Sequence, residues 1–138
     1  MRQAACALAV LLLALPAAAQ ERTPAPEGAE VYIISPADGA TVTSPVSVVF
    51  GLRNMGVAPA GVENEGTGHH HLIIDAELPA ADEPIPADDN YRHFGGGQTE
   101  TSVELAPGSH TLQLMLGDQN HVPHDPPIVS ERITITVE

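Results

Sequence analysis

All seven histidines of this 138-residue chain lie between positions 69 and 124. Three form an unbroken run at residues 69–71, and two frame a proline turn, at His121 and His124. The other two, His93 and His110, lie between these groups. Imidazole is the commonest protein metal ligand, and it titrates near neutral pH. The sequence therefore predicts a metal-binding or proton-responsive site.

The run at residues 69–71 leads into an apolar segment that has the character of a β-strand. Side chains two residues apart in a strand point to the same face. His69 and His71 should therefore project together, and His70 should project with Leu72 and Ile74. If those two residues face the core, His70 lies at its rim, whereas a bulge at Gly68 would reverse the facing of the whole run. For His70 we favour a structural role, with a ring nitrogen bonded to a backbone group. The pair is suited to one ion, although a solvated strand end is the alternative.

The proline turn and a glycine-rich loop would present further imidazoles. Pro123 fixes a tight turn, which can hold His121 and His124 at low entropic cost. His93 precedes three consecutive glycines at residues 95–97, which allow a loop to fold over a site. A mobile hinge is the alternative there. We expect His93 to join the other ligands or to close over them.

His110 follows a turn and is in register with inward-facing leucines at 112, 114 and 116. A lone histidine on an apolar face is usually a satisfied structural residue. At this position it can bond back to the preceding turn, as a corner tyrosine does in sandwich domains. We therefore assign His110 a structural role.

Neutral imidazoles without sulfur ligands favour copper(II) or zinc over calcium or magnesium. The only methionines beyond the first residue are Met55 and Met115, so soft copper(I) coordination has little support. Because imidazoles bind metals when deprotonated, we expect affinity to fall as the pH drops through about 6.5. The predicted ligands of this copper or zinc ion are His69, His71, His93, His121 and His124.

Residues 1–19 have the pattern of an export signal. Arg2 is followed by an apolar stretch and by small residues at 17–19, where cleavage near Ala19 would remove the only cysteine, Cys6. The apolar stretch is too short to span a bilayer. The product is therefore expected in the periplasm or outside the cell, without membrane insertion.

The predicted mature chain is strongly acidic. Removing Arg2 leaves four arginines and no lysine against eighteen acidic residues, a formal charge of 4 − 18 = −14. Such a surface repels nucleic acid and anionic lipid. The expected partners are a divalent metal ion and a periplasmic protein, although solubility alone also explains the charge.

Short segments with period-two apolar faces, separated by proline and glycine turns, predict an all-β fold. The expected class is an antiparallel Greek-key β-sandwich of immunoglobulin-like type, since residues 31–42 resemble the first strand and turn of such bacterial domains. We predict a disordered lead-in over residues 20–29 and a single domain over 30–138. The expected core residues are Val48, Phe50, Leu112, Leu114 and Ile135.

Four phrases together resemble a known bacterial family. They are GHHHLIID at residues 68–75, HFGGGQTE at 93–100, PGSHTL at 107–112 and GDQNHVPH at 117–124. The family is catalogued as domain of unknown function 4399 and is typical of exported proteins. The resemblance covers about residues 45–137. It implies that the histidine phrases belong together, and it brings no activity with it.

Three functional hypotheses remain open, and a non-enzymatic metal-binding protein is favoured. A metalloenzyme would need the same ligands with an open coordination position. An immunoglobulin-like interaction module would bind a protein or glycan through its loops, although few aromatic residues could form a stacking platform. A calcium site in the acidic loop is a weaker idea, because its spacing matches no loop consensus; the residues would be Asp82, Glu83, Asp88 and Asp89.

Overall fold

β-Strands form the regular secondary structure of residues 21–138, the part of the chain that the computed structural model describes. The signal segment predicted over residues 1–19 lies outside this part. Between residues 21 and 138, no helix has the length and apolar composition needed to cross a membrane. The strands are β1 (Glu30–Ser35), β2 (Thr41–Val42), β3 (Val46–Arg53), β4 (Gly56–Val57), β5 (Thr67–Ile74), β6 (Tyr91–His93), β7 (Glu100–Val103), β8 (Gly108–Gly117) and β9 (Ile133–Val137).

The strands form two sheets. One contains three strands in the order β1-β3-β7, and the other contains six, in the order β2-β9-β8-β5-β4 with β6 also paired to β5. The long strand pairs are antiparallel, and the two-residue strands β2 and β4 pair in parallel. This confirms the predicted all-β, mostly antiparallel sandwich. The immunoglobulin-like character is consistent with this arrangement and stays a prediction.

The main core is formed by alternate residues of both sheets. In β3, Val46, Val48 and Phe50 are buried, while Ser47 between them is exposed. Burial of the apolar face of each strand removes it from water, which is the main favourable contribution to folding. The expected core residues are all confirmed, with exposed fractions between 0 and 4 %: Val48, Phe50, Leu112, Leu114 and Ile135.

Strand β5 is buried on both faces. Leu72 and Ile74 belong to the main core, whereas Ile73 belongs to a second apolar cluster with Ile85 and Met115. The alternation places odd-numbered residues of β5 on the face opposite the main core. The predicted facing of the histidine run is therefore confirmed, and two of its imidazoles lie on the outer face of the six-stranded sheet.

The segment before β1, for which composition predicts a disordered lead-in, makes specific contacts with a distant part of the chain. The backbone of Ala25 donates to the carbonyl of Asp125 at 2.9 Å, and the backbone of Asp125 donates to the carbonyl of Thr23 at 2.9 Å. Arg22 also forms an ion pair with Asp125 at 3.3 Å. Side chains contribute as well, because Thr23 donates a hydrogen bond to Asp118 and Ala25 packs against the main core. Composition alone does not show these contacts, because the partners lie far along the chain.

Candidate metal centre

Four imidazoles meet on the outer face of the six-stranded sheet. His69 and His71 lie on β5, His93 lies on β6, and His121 lies in the loop after β8. Each offers one ring nitrogen, and these four nitrogens all lie within 4.8 Å of one another. Four of the five predicted ligands are therefore brought together.

Strand pairing accounts for this convergence. His93 is the antiparallel partner of His71 in the β5–β6 ladder, and His69 is paired with Gly117 at the end of β8. Directly opposed residues in a ladder project their side chains to the same face. The loop that leaves β8 therefore starts beside His69, and it delivers His121 to the same place.

Two glycines leave space for the rings. A Cβ atom on Gly117 would lie 2.8 Å from Cε1 of His71, and one on Gly95 would lie 2.8 Å from Nε2 of His93. Real Cβ atoms do not approach neighbours so closely. Glycine at these positions thus allows two of the imidazoles to lie against the backbone. Gly95 is the first residue of the glycine run at 95–97, so this run contributes to the site directly.

The nitrogens have a spacing compatible with a single ion. Nε2 of His69 lies 3.1 Å from Nδ1 of His121 and 3.2 Å from Nε2 of His93. Two nitrogen ligands about 2.0–2.1 Å from a tetrahedral zinc ion would be about 3.3 Å apart. Each contact is a hydrogen bond when one ring nitrogen carries the proton and the other accepts it, and the tautomers of the rings decide these roles. The spacing of these nitrogens therefore suits shared coordination of one ion.

Burial and mutual proximity lower the pKa of three of these rings. Burial, together with the neighbouring rings of His121 and His93, lowers the pKa of His69 to about 4. Burial, together with His69 and His93, lowers the pKa of His71 to about 3. The pKa of His93 is also lowered, by burial and by His121. Neutral imidazole is the form that binds a metal, so the shifts extend the metal-binding form of His69 and His71 well below the pH of 6.5 expected from the sequence.

His124 lies outside this group, although the sequence predicts it as a ligand. Its Nε2 donates to the carbonyl of Thr67 at 3.2 Å, and its side chain is only 1 % exposed. A Cβ on Gly68 would lie 2.9 Å from Cε1 of the His124 ring. The turn thus sends its two histidines in different directions, because His121 adopts a left-handed backbone conformation with φ of 65°.

His70 faces the main core, as expected, and packs on Phe50 with the ring centroids 5.0 Å apart. The predicted hydrogen bond from its ring to the backbone is wrong. Both ring nitrogens of His70 are buried without a partner in the described structure. Burial also lowers its pKa to about 4. The parity of the strand places this ring among apolar side chains, where it fills space as a neutral group.

The structural role predicted for His110 is confirmed. Its Nδ1 contacts Oδ2 of Asp75 at 2.6 Å, and its Nε2 donates to the carbonyl of Ala106 at 2.7 Å. The carbonyl belongs to the preceding turn, as expected. Both nitrogens face acceptors. The hydrogen bond with Asp75 makes the largest contribution to raising the pKa of His110, and the hydrogen bond with Ala106 adds to it. This imidazole ties the turn to the end of β5.

The acidic loop does not provide a comparable cluster. Within residues 21–138, the four imidazoles are the one group of histidine, cysteine or acidic side chains with metal-ligand spacing. The carboxylate of Asp88 accepts hydrogen bonds from the backbone of Asn90 and Tyr91, and Asp89 pairs with Arg92 at 3.6 Å. These acidic residues organise their own turn instead of converging on a point.

The sequence profile of one family, described as Domain of unknown function (DUF4399), matches residues 48–138. No curated protein and no solved structure matches the chain. The matched region includes all four clustered histidines and both glycines that accommodate their rings. It covers well over half of the chain, from within β3 to the last residue. The protein therefore belongs to the DUF4399 family.

Proposed function

We propose that this protein binds one divalent transition metal ion, copper or zinc, through His69, His71, His93 and His121. The observation that carries the proposal is the convergence of four ring nitrogens within 4.8 Å of one another. With the export signal predicted over residues 1–19, the setting proposed for this activity is the periplasm. Metal storage, delivery or sensing are the roles that such a site would serve.

The donor set supports this class of ion. Calcium and magnesium take oxygen ligands, whereas imidazole suits copper and zinc. Divalent copper generally binds nitrogen sites more tightly than zinc, while the tetrahedral spacing described above also suits zinc. Both ions therefore fit the donor set.

The burial of the ligands supports reversible binding. His69 and His71 are each 1 % exposed and are fixed on the central strand β5. His93 is exposed and His121 is partly buried, so the cluster has a side that reaches solvent. An ion would enter and leave past these two rings without opening the sandwich. This is the arrangement expected of a protein that acquires and releases its metal.

The number of protein ligands favours binding over catalysis. Structural zinc sites are closed by four protein ligands, whereas catalytic sites use three and keep one position for water or substrate. Four imidazoles would fill a tetrahedral shell. The proposed function is therefore metal handling or sensing by a non-enzymatic protein.

Calorimetric titration of Cu²⁺ and Zn²⁺ into untagged, metal-free protein tests the proposal. We expect one equivalent of ion to bind with submicromolar affinity at pH 7, and binding to be lost in His71→Ala. His110→Ala is the matched control, since it removes an imidazole outside the cluster and should retain the stoichiometry. Circular dichroism would show that both variants are folded. Failure of the wild-type protein to bind either ion would overturn the proposal and favour an interaction module.

A further inference from the structure

The loop that carries His121 is wrapped around one buried carboxylate. Asp118 is only 4 % exposed. Its Oδ1 accepts hydrogen bonds from the backbone of Asn120 at 2.9 Å and of Val122 at 3.0 Å. These two donors flank His121 directly. Carboxylates that accept backbone hydrogen bonds in this way fix local conformation, because the backbone would otherwise lose its partners on burial.

The backbone of Asp118 closes the same loop. Its N–H donates to the carbonyl of Val122 at 2.9 Å, and its carbonyl accepts from the N–H of His121 at 2.9 Å. Within this ring of hydrogen bonds, His121 has its left-handed φ of 65°. A residue other than glycine persists in this conformation when its surroundings determine it. The four hydrogen bonds to Asp118 provide that determination.

The second carboxylate oxygen reaches a different part of the chain. Oδ2 of Asp118 accepts a hydrogen bond from Oγ1 of Thr23 at 2.7 Å. Thr23 is itself fixed, because its carbonyl accepts from the backbone of Asp125 and the neighbouring Arg22 donates to the carbonyl of Pro123 at 3.3 Å. The segment before β1 thereby braces the His121 loop through contacts far along the chain.

Resting on the metal-binding function proposed above, we propose that Asp118 and Thr23 are positioning residues that hold His121 in the ligand set. Neither side chain belongs to the four-imidazole group. Asp118 fixes the backbone on both sides of His121, and Thr23 fixes Asp118. Groups that orient metal ligands commonly change metal affinity by 10–100-fold when they are removed.

Zinc affinity measured by competition with a chromophoric chelator tests the assignment. Asp118→Ala should weaken Zn²⁺ binding about 10–100-fold, and Thr23→Val should weaken it about 3- to 10-fold through loss of one hydrogen bond. Asp118→Asn should retain most of the affinity, because its amide oxygen can still accept from Asn120 and Val122. Asp75→Ala, which removes the carboxylate bound to His110, is the control and should leave the affinity unchanged.

A double-mutant cycle with His121→Ala distinguishes positioning from a general structural role. If Asp118 acts through His121, adding Asp118→Ala to His121→Ala should cause no further loss of zinc affinity. Fully additive losses would overturn the assignment. Amide hydrogen exchange of the metal-free protein gives a second readout. The amides of Asn120 and Val122 should exchange faster in Asp118→Ala and in Thr23→Val.

The possible failures are separable. If the wild-type protein binds no Zn²⁺ or Cu²⁺, the proposed function and this assignment both fall. If the wild-type protein binds Zn²⁺ and folded Thr23→Val and Asp118→Ala bind it equally well, only the positioning role is overturned. If Asp118→Ala fails to fold, Thr23→Val still tests the assignment. Unchanged zinc affinity in folded Thr23→Val would show that the hydrogen bond from Thr23 to Asp118 does not position His121.

Discussion

The imidazole of His71 lies directly against Gly117, and a Cβ atom on Gly117 would come within 2.8 Å of His71 Cε1. Gly117 ends β8, opposite His69 on the neighbouring strand. The glycine is therefore part of the wall of the candidate metal centre, although it carries no ligand atom.

Gly117→Ala should displace the ring of His71 and weaken metal binding. We expect at least a tenfold loss of Zn²⁺ affinity and a stability loss of about 1–3 kcal/mol from overpacking. Urea denaturation and chelator competition measure the two effects. Gly56→Ala is the matched control. Its Cβ would lie 3.3 Å from a Thr67 methyl group, which is a less severe contact than that at Gly117 and involves a side chain outside the four-imidazole group. Unchanged zinc affinity in Gly117→Ala would show that the ring has room to move.

His124 and His121 should respond differently to substitution, although they frame the same turn. His121→Ala should weaken metal binding strongly and leave the three other imidazoles to hold the ion with lower affinity. His124→Ala should keep the metal stoichiometry and lower the stability by about 2–4 kcal/mol, since it empties a buried site and leaves the Thr67 carbonyl unpaired. Calorimetric titration and thermal unfolding separate the effects. Loss of metal from folded His124→Ala would place this ring among the ligands.

The metal-free protein should lose stability as the pH falls below 6.5. Burial lowers the pKa of His70 to about 4, so the unfolded chain takes up a proton at a higher pH than the folded protein does. The contribution of this group to the free energy of unfolding is fully present above pH 6.5 and declines as the pH falls toward 4. At pH 5 the decline amounts to about 2 kcal/mol for one such histidine.

His70→Leu provides the measurement for that prediction. Leucine cannot be protonated and suits the apolar surroundings beside Phe50. Urea denaturation at pH 7.5 and pH 5 in the presence of a chelator should show a smaller pH effect in His70→Leu than in the wild-type protein. An identical pH effect in the two proteins would show that His70 does not contribute to it.

His110 should have the opposite pH dependence. Its pKa is raised by the hydrogen bonds to Asp75 and Ala106, so the folded protein binds this proton more tightly than the unfolded chain. The stabilisation is complete below about pH 6.5 and is lost as the pH rises through the folded pKa. His110→Gln should therefore destabilise by about 1–3 kcal/mol at pH 6 and by less at pH 9. Equal losses at both pH values would argue against a protonated ring.

The sequence predicts the facing of the histidine run correctly, because parity along a strand depends only on local geometry. His69, His70 and His71 lie on the faces that alternation assigns to them. The core residues follow from the same period. The missing hydrogen bond of His70 could not be anticipated, since it depends on which groups of the other sheet surround the ring.

The separation of His121 from His124 depends on information that residue types do not carry. The left-handed conformation of His121 arises from hydrogen bonds around Asp118. Thr23 lies 95 positions away from Asp118 in the chain, so the brace has no local sequence signal. The phrase Gly117-Asp118-Gln119-Asn120 did contain one hint, because an aspartate before a tight turn often accepts backbone hydrogen bonds.

The contact between His69 and His121 joins positions 52 residues apart. The one cysteine of the chain lies in the segment predicted to be removed on export, so a disulfide cannot tie the predicted mature protein together. An ion shared by these two rings would close a long loop and act as a reversible cross-link. Closing such a loop restricts the unfolded chain, and in the chain-entropy model a disulfide stabilises a small exported domain in the same way. A chelator would then open this cross-link, as a reducing agent opens a disulfide.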